Sequence, residues 1–401
     1  MEMAAIGMSK NRQLHFVTHL YIRQGYAELK SGVKPQTAEN TATLKTTNFK
    51  LYKLDSGPST TVNVSKSEGE NLYREMKTIR AMETAAFGMS KSHQQHFVTH
   101  LYTGQEACAV GIMKAIRPYD AVITSYRLHG YAYLKGVSVH RILAELLGRQ
   151  TGGSKGKGGS MHIYNKSSHY YGGFAIVGAQ VPVGVGIALA RRFAKPDAIC
   201  VTVYGDGAAN QGQVFEAFNL AKLWNLPVLF VCENNKRSRQ EGDTSRLTSS
   251  DDMYTRGHYI PGIWVDGIDV LAVQTATYWA ADYIRSGKGP LIIELDTSYF
   301  HGHLIVKDKI IGDHKEDKKK SPEYERDPLT LLRHQLLTTE LSSSEDLQII
   351  DDNIDDDVAK SVYRATHDAE PELNEMYTNI YDNAQNMTVR GCDVFTNYTY
   401  E

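Results

Sequence analysis

Short apolar runs rich in β-branched residues recur along the chain at 122–124, 199–204, 228–232 and 291–295, separated by stretches with helical spacing. Runs that stay apolar at consecutive positions fit strands covered on both faces. Their alternation with helices predicts an α/β fold, a parallel sheet flanked by helices. Before it, residues 40–64 are Thr-rich and read as extended, and residues 68–102 carry the helical spacing Leu72, Met76, Ile79, Met82. After it, a polar segment at 307–326 carries runs of both charge signs. Residues 328–401 then read as two or three amphipathic helices packed outside the sheet. The chain thus divides into an N-terminal segment, 1–40, an α/β domain, 41–330, and a C-terminal helical tail, 331–401.

Residues 4–21 repeat residues 85–102 with 14 of 18 identical. The copy stops before the GQEA that follows Tyr102, and a solenoid needs about three units, so this reads as a partial duplication. In the first 40 residues Lys10, Arg12, Arg23, Lys30 and Lys34 outnumber Glu2, Glu28 and Glu39, a weak targeting pattern.

Composition changes this picture little. With 41% hydrophobic and 22% charged residues among 401, the chain can bury a large core, and a net charge of -2 gives no overall basic field for nucleic acid or an anionic membrane. The longest apolar stretch, 175–190, is interrupted by Gln180, Pro182 and several glycines, a poor membrane span. Cys108, Cys200, Cys232 and Cys392 form no CxxC pair and read as reduced core residues.

The strongest chemical signal is GDGAANQGQVFEAFNLAKLWNLPVLFVCENN, residues 205–235, with 26 residues between GDG and NN. It reads as one βαβ unit: a strand at 199–204, a helix at 213–224 and a strand at 228–232. Asp206 and Asn235 then lie just past strand C-termini, where open α/β sheets bind ligands. The glycines admit close backbone approach, and the following helix offers N-terminal N–H groups, an edge suited to a diphosphate. A carboxylate and an amide oxygen, with a carbonyl and phosphate oxygens, suit a roughly octahedral magnesium ion. Gly184 and Gly186 lack the third glycine and preceding strand of a Rossmann NAD site. The glycine-rich 151–160 reads as a flexible loop covering the site rather than a phosphate cradle.

This segment resembles the thiamine-diphosphate motif of transketolase-like enzymes. Around it, HLYTGQEACAVG (100–111), SYRLHG (125–130), GGSMHIY (158–164), GAQVPVG (178–184) and FHGH (300–303) occur in the order of the thiamine-diphosphate-dependent 2-oxoacid dehydrogenase family, in the wording of its pyruvate dehydrogenase alpha subunits. The resemblance implies a thiamine-diphosphate-binding fold and a metal site of Asp206, Asn235 and the Arg237 carbonyl. It places Tyr126, Arg127, Gly207 and Ala208 at the diphosphate, Ala175 and Val177 along the aminopyrimidine, His303 at the cofactor and in acyl transfer, and His100 near the substrate. His19, in the duplicated copy, lacks the GQEA and SYRLHG context and is given no role.

It further implies oxidative decarboxylation of pyruvate, transfer of the acetyl group to the lipoyl groups of a dihydrolipoyl acetyltransferase core, and acetyl-CoA formation in the mitochondrial matrix. The partner is a beta subunit in an α2β2 assembly, supplying the activating glutamate and the pyrimidine-binding domain. The chain departs from the pattern in three places. Leu304 stands where the first serine of the phosphorylated loop is expected, so kinase control there should be absent. KRSRQEGDTSR replaces a glycine-rich turn after Asn235, and Ala175 replaces a glycine. These departures carry the alternative of a catalytically impaired structural or competitor subunit; a branched-chain or acetoin enzyme is a further alternative.

Overall fold

The computed structural model describes residues 40–91, 98–235, 248–306, 309–311, 327–383, 385–391 and 395–399. The first copy of the duplication with His19, the targeting pattern before Asn40, Arg237 and Cys392 lie outside the described residues. Contacts divide the chain between Thr41 and Ala42, and the main sheet, its helices and the cavity at its edge all belong to the unit from Ala42 to Glu401.

In chain order the elements are β1 (Thr41–Lys45), β2 (Lys50–Tyr52), β3 (Thr61–Ser65), α1 (Lys66–Lys91), α2 (Glu106–Ala115), β4 (Ala121–Ser125), α3 (His129–Leu134), α4 (Val139–Leu146), β5 (Tyr170–Phe174), α5 (Gln180–Ala194), β6 (Cys200–Gly205), α6 (Gly212–Leu223) and β7 (Val228–Asn234). They continue with β8 (Gly262–Asp266), α7 (Val270–Tyr283), β9 (Leu291–Asp296), β10 (Leu304–Val306), β11 (Lys309–Ile311), α8 (Pro328–Thr338), α9 (Ser344–His367), β12 (Thr388–Arg390) and β13 (Asn397–Thr399). The main sheet runs β2-β8-β9-β7-β6-β4-β5, parallel throughout except for antiparallel β2 at one edge.

Strand alternation explains the unbroken apolar runs. Val201, Val203, Leu229 and Val231 point into one core with α1, α2, α4, α7, α8 and α9, while Cys200, Tyr204, Phe230 and Cys232 point into another beneath α5 and α6. Both faces are dry, so polarity at either would be costly. Helix starts follow local chemistry: Asp327 caps α8 through Thr330 N with Pro328 in its first turn, and Ser343 caps α9 through Asp346 N. No helix among the described residues is long and apolar enough to cross a membrane.

Three expectations need correction. Within the helical spacing read over 68–102, α1 covers Lys66–Lys91, whereas Thr99 forms a β-bridge to Ile305 rather than helix. The tail holds two α-helices, followed by a 3-10 turn and the β12–β13 hairpin. The short strands β5 and β8 were not anticipated, since their glycines, in YYGGF and GIWVD, dilute the apolar signal.

Candidate active site

The chain moves outward from β4 to β5, then returns to the other side of β4 to lay down β6 and β7. Such a reversal opens a crevice at strand C-termini. A cavity of about 340 Å³ lies there, walled by residues at or just past the C-terminal ends of β4 (Tyr126, Arg127), β5 (Phe174, Val177, Gly178, Gln180), β6 (Asp206, Gly207, Ala208), β7 (Glu233, Asn235) and β9 (Tyr299, His303).

Asp206 and Asn235 are brought together because β6 and β7 are hydrogen-bonded neighbours in register, Gly205 opposite Glu233. The Asn235 N–H donates to Asp206 Oδ1 at 3.3 Å, and Asn235 Nδ2 donates to the Glu233 carbonyl at 3.2 Å. This leaves Asn235 Oδ1 buried without a hydrogen-bond partner among the described residues. An orphaned buried oxygen is costly and marks a place where a cation or donor belongs. A Cβ added at Gly205 or Gly207 would meet nothing of the protein within 4 Å, so the turn leaves open a space that packing does not require. These features fit the group proposed from sequence: a hard cation beside a carboxylate, and phosphate oxygens against bare backbone. Among the described residues no group of three His, Cys, Asp or Glu side chains could hold a metal, so a cation here depends on amide and carbonyl oxygens as well.

The opposite wall carries Tyr126, Arg127 and His303. Arg127 is buried and donates to the carbonyls of Leu101 and His303, the latter at 3.1 Å, while its guanidinium lies 4.8 Å over the Tyr299 ring. A guanidinium has five N–H donors, so these two bonds orient it and leave capacity for an anion. Burial, then the Arg127 charge, lowers the pKa of His303. The His303 ring lies 6.0 Å from Tyr126 and 5.5 Å from His100.

Two predicted residues and one helix terminus depart from expectation. His100 lies behind the wall, its ring tilted against Tyr126 at 4.3 Å and its Nδ1 3.0 Å from the His303 carbonyl. Burial, reinforced by the Arg127 charge, pushes its pKa down to about 3, so it is neutral at working pH and is no proton donor there. Ala175 is exposed and lies off the cavity lining, whereas Val177 is on it with its carbonyl accepting from Gln213 Nε2 at 3.0 Å. The α6 N-terminus is held back by a 3-10 turn, Ala208–Asn210, so the cavity meets Gly207 and Ala208 rather than the first turn of the helix.

Sequence reasoning passed over Glu233 and Gln180. Glu233 is 3% exposed and receives the hydroxyls of Tyr102 and, at 3.0 Å, Tyr131; burial pushes its pKa up to about 7, against those two bonds and Arg127. Gln180 Nε2 donates to the Val203 carbonyl at 3.0 Å, while its Oε1 is buried without a partner. The available signal for both was a polar side chain inside an apolar run.

Residues 74–374 match the dehydrogenase E1 component family. The chain belongs to that family. It is 45% identical to a probable pyruvate dehydrogenase E1 component subunit alpha, mitochondrial, of Caenorhabditis elegans, over 94% of each chain. It is 45% identical to the mitochondrial pyruvate dehydrogenase E1 component subunit alpha of Sminthopsis macroura, over 90% of this chain and 98% of the relative. To the somatic form of Sus scrofa it is 44% identical, over 90% and 92%. The family match runs from within α1 to beyond α9 and so contains every cavity-lining segment of this E1 chain.

Proposed function

We propose that this chain is the alpha subunit of a mitochondrial pyruvate dehydrogenase, binding thiamine diphosphate with magnesium in the cavity at the β6–β7 edge. The observation that carries the reading is the pairing of Asp206 with Asn235, whose buried Oδ1 has no partner, in one cavity with Tyr126, Arg127 and His303. Asp206 and Asn235 would hold the cation, with the Arg237 carbonyl, outside the described residues, as the third ligand the resemblance implies, while Arg127 and Tyr126 with Gly207 and Ala208 would hold the diphosphate. When bound, thiamine diphosphate supplies a carbanion nucleophile and accepts the electrons released with carbon dioxide.

The chain's own residues bind, orient and exclude water. Arg127 is locked by two carbonyls and so meets phosphate oxygens without reorganising. His303 stands at the cavity edge with its pKa lowered by burial and the Arg127 charge, placed to accept a proton during acyl transfer. Val177 lines the same cavity on the β5 side, next to where the aminopyrimidine is expected.

Among the described residues the carboxylates that line the cavity are Asp206 and Glu233, and on this reading activation of the pyrimidine falls to a beta subunit. The covering layer of α5 and α6 leaves Val183, Phe193, Phe215 and Leu223 exposed, apolar surface of the kind a partner covers. Product formation then requires the lipoyl domain of a dihydrolipoyl acetyltransferase. Ile305, one residue past Leu304, is buried and bridged to Thr99, so the segment after His303 begins as a pinned strand, and Leu304 itself offers no hydroxyl to a kinase.

The test is oxidative decarboxylation of pyruvate by this chain co-purified with a pyruvate dehydrogenase beta subunit, thiamine diphosphate, magnesium and an artificial electron acceptor. Cofactor-dependent turnover that Asp206→Ala abolishes supports the reading. A stable complex that never turns over assigns the chain a structural role instead.

A further inference from the structure

A buried line of polar groups runs behind the cavity wall and ends on the backbone of His100. Glu83 on α1 and His129 on α3 are fully buried, with both Glu83 carboxylate oxygens 3.0 Å from His129 Nδ1. The other ring nitrogen, Nε2, is 2.9 Å from Ser160 Oγ, and that oxygen accepts the His100 N–H at 3.2 Å. Ser160 Oγ thus bridges the His129 ring, held by the Glu83 carboxylate at its other nitrogen, to the His100 amide. Glu83 also takes the Tyr102 N–H at 3.0 Å, so the strand segment is gripped at two amides two residues apart.

Ser160 is itself placed by the glycine-rich loop, which is not the free cover expected from sequence. The buried carboxylate of Glu145 on α4 receives the backbone N–H groups of Ser154 (2.7 Å), Gly156 (2.9 Å), Gly158 (2.7 Å) and Gly159 (3.1 Å). Only glycine permits this wrap: Gly156 has φ +73, and a Cβ on Gly158 would fall 2.2 Å from the His162 carbonyl oxygen. The loop is an anion nest whose anion is the protein's own.

The order Glu, His, Ser is that of a hydrolytic triad, but Ser160 is 1% exposed and its oxygen already serves His129 and His100. No acyl group can reach it. What the line does reach is His100, whose ring lies against Tyr126 and whose Nδ1 meets the His303 carbonyl.

We propose that Ser160 is a positioning residue of the cofactor site: its hydroxyl ties the Glu83–His129 pair and the Glu145-anchored loop to the His100 amide, and so fixes Tyr126 and His303 at the cavity edge. This rests on the reading of the cavity as the thiamine diphosphate site. Neither Tyr126 nor His303 has a direct bond to Ser160, so the effect travels through the His100 ring and backbone.

The test uses the chain assembled with the beta subunit, as wild type, Ser160→Ala and Ser160→Thr, with two readouts. Hydrogen–deuterium exchange reports on residues 98–103, and calorimetry with magnesium reports the thiamine diphosphate Kd. Loss of one buried hydrogen bond predicts that Ser160→Ala exchanges the His100 amide about tenfold faster and binds the cofactor about tenfold more weakly. Ser160→Thr, which keeps the hydroxyl, restores both to within about threefold, and exchange in β6 and β7 stays unchanged in both variants. Cofactor binding by Ser160→Ala equal to wild type overturns the proposal, as does equally weak binding by Ser160→Thr, which assigns the loss to packing. A wild-type assembly that binds no thiamine diphosphate overturns the reading of the cavity instead.

Discussion

The β6–β7 wall of the cavity and the wall that faces it are made from different kinds of sequence. Asp206, Gly207, Ala208 and Asn235 belong to one βαβ unit, and two neighbouring strands in register bring its ends together. Tyr126, Arg127, His100 and His303 come from segments far apart in the chain, drawn together by buried polar contacts: Arg127 to the Leu101 and His303 carbonyls, His100 to Ser160, Ser160 to His129. The first wall is fixed by strand pairing and apolar packing beneath it, with rim contacts that include the Asn235 N–H to Asp206 Oδ1 and Asn235 Nδ2 to the Glu233 carbonyl. The second is fixed by hydrogen bonds that are themselves the structure, so a substitution there disturbs fold and site together.

That contrast sets the size of the expected effects. Asp206→Ala, on the first wall, should lower turnover by about a thousandfold, and a magnesium chelator should do the same to the wild type, because the cation's charge then goes unheld. Thermal unfolding of the ligand-free chain should move little. Behind the second wall, Glu145→Gln replaces a carboxylate that serves four N–H donors with one carbonyl oxygen and an amide that repels them. Urea unfolding should register a loss of about 2–4 kcal/mol.

His100 gives a smaller effect with a defined sign. Its pKa is depressed to about 3, so the unfolded chain, with an ordinary histidine near 6.5, binds the proton more readily. The contribution is therefore present above pH 6.5 and is lost as pH falls from there toward 3. His100→Gln should flatten that acid limb by on the order of 2 kcal/mol in denaturation followed across this window. The smallest stability change is expected at Gly207→Ala. The position already has helical φ -62 and ψ -41, and the new methyl meets no protein atom within 4 Å. Stability should hold within about 0.5 kcal/mol while cofactor affinity falls, a separation that the second wall does not allow.

The same contrast governs what could be read from sequence. The β6–β7 wall was legible because its information is local: an apolar strand, a turn, a helix and a second strand need only periodicity and spacing. Tyr126, Arg127 and His303 were reached by resemblance, and the cavity brings them together, but nothing local encodes the approach of Arg127 to the carbonyls of Leu101 and His303. His100 was assigned proton chemistry from the ordinary properties of histidine, whereas burial beside Arg127 removes it from that role. The glycine-rich loop was misjudged for a related reason. Glycines signal conformational freedom, and only the fold shows that Glu145 draws four of the loop's amides into one fixed turn. Glu233 was passed over inside an apolar run, although a carboxylate there has to be buried and satisfied, here by two tyrosine hydroxyls.

The central claim, that the two walls together hold magnesium and thiamine diphosphate, is tested most directly by calorimetric titration of the cofactor with magnesium into the chain assembled with a beta subunit. The account predicts saturable binding by the wild type that weakens by about a hundredfold or more in Asp206→Ala and disappears when magnesium is withheld. Binding of equal strength in the variant, or with no divalent ion present, would contradict it.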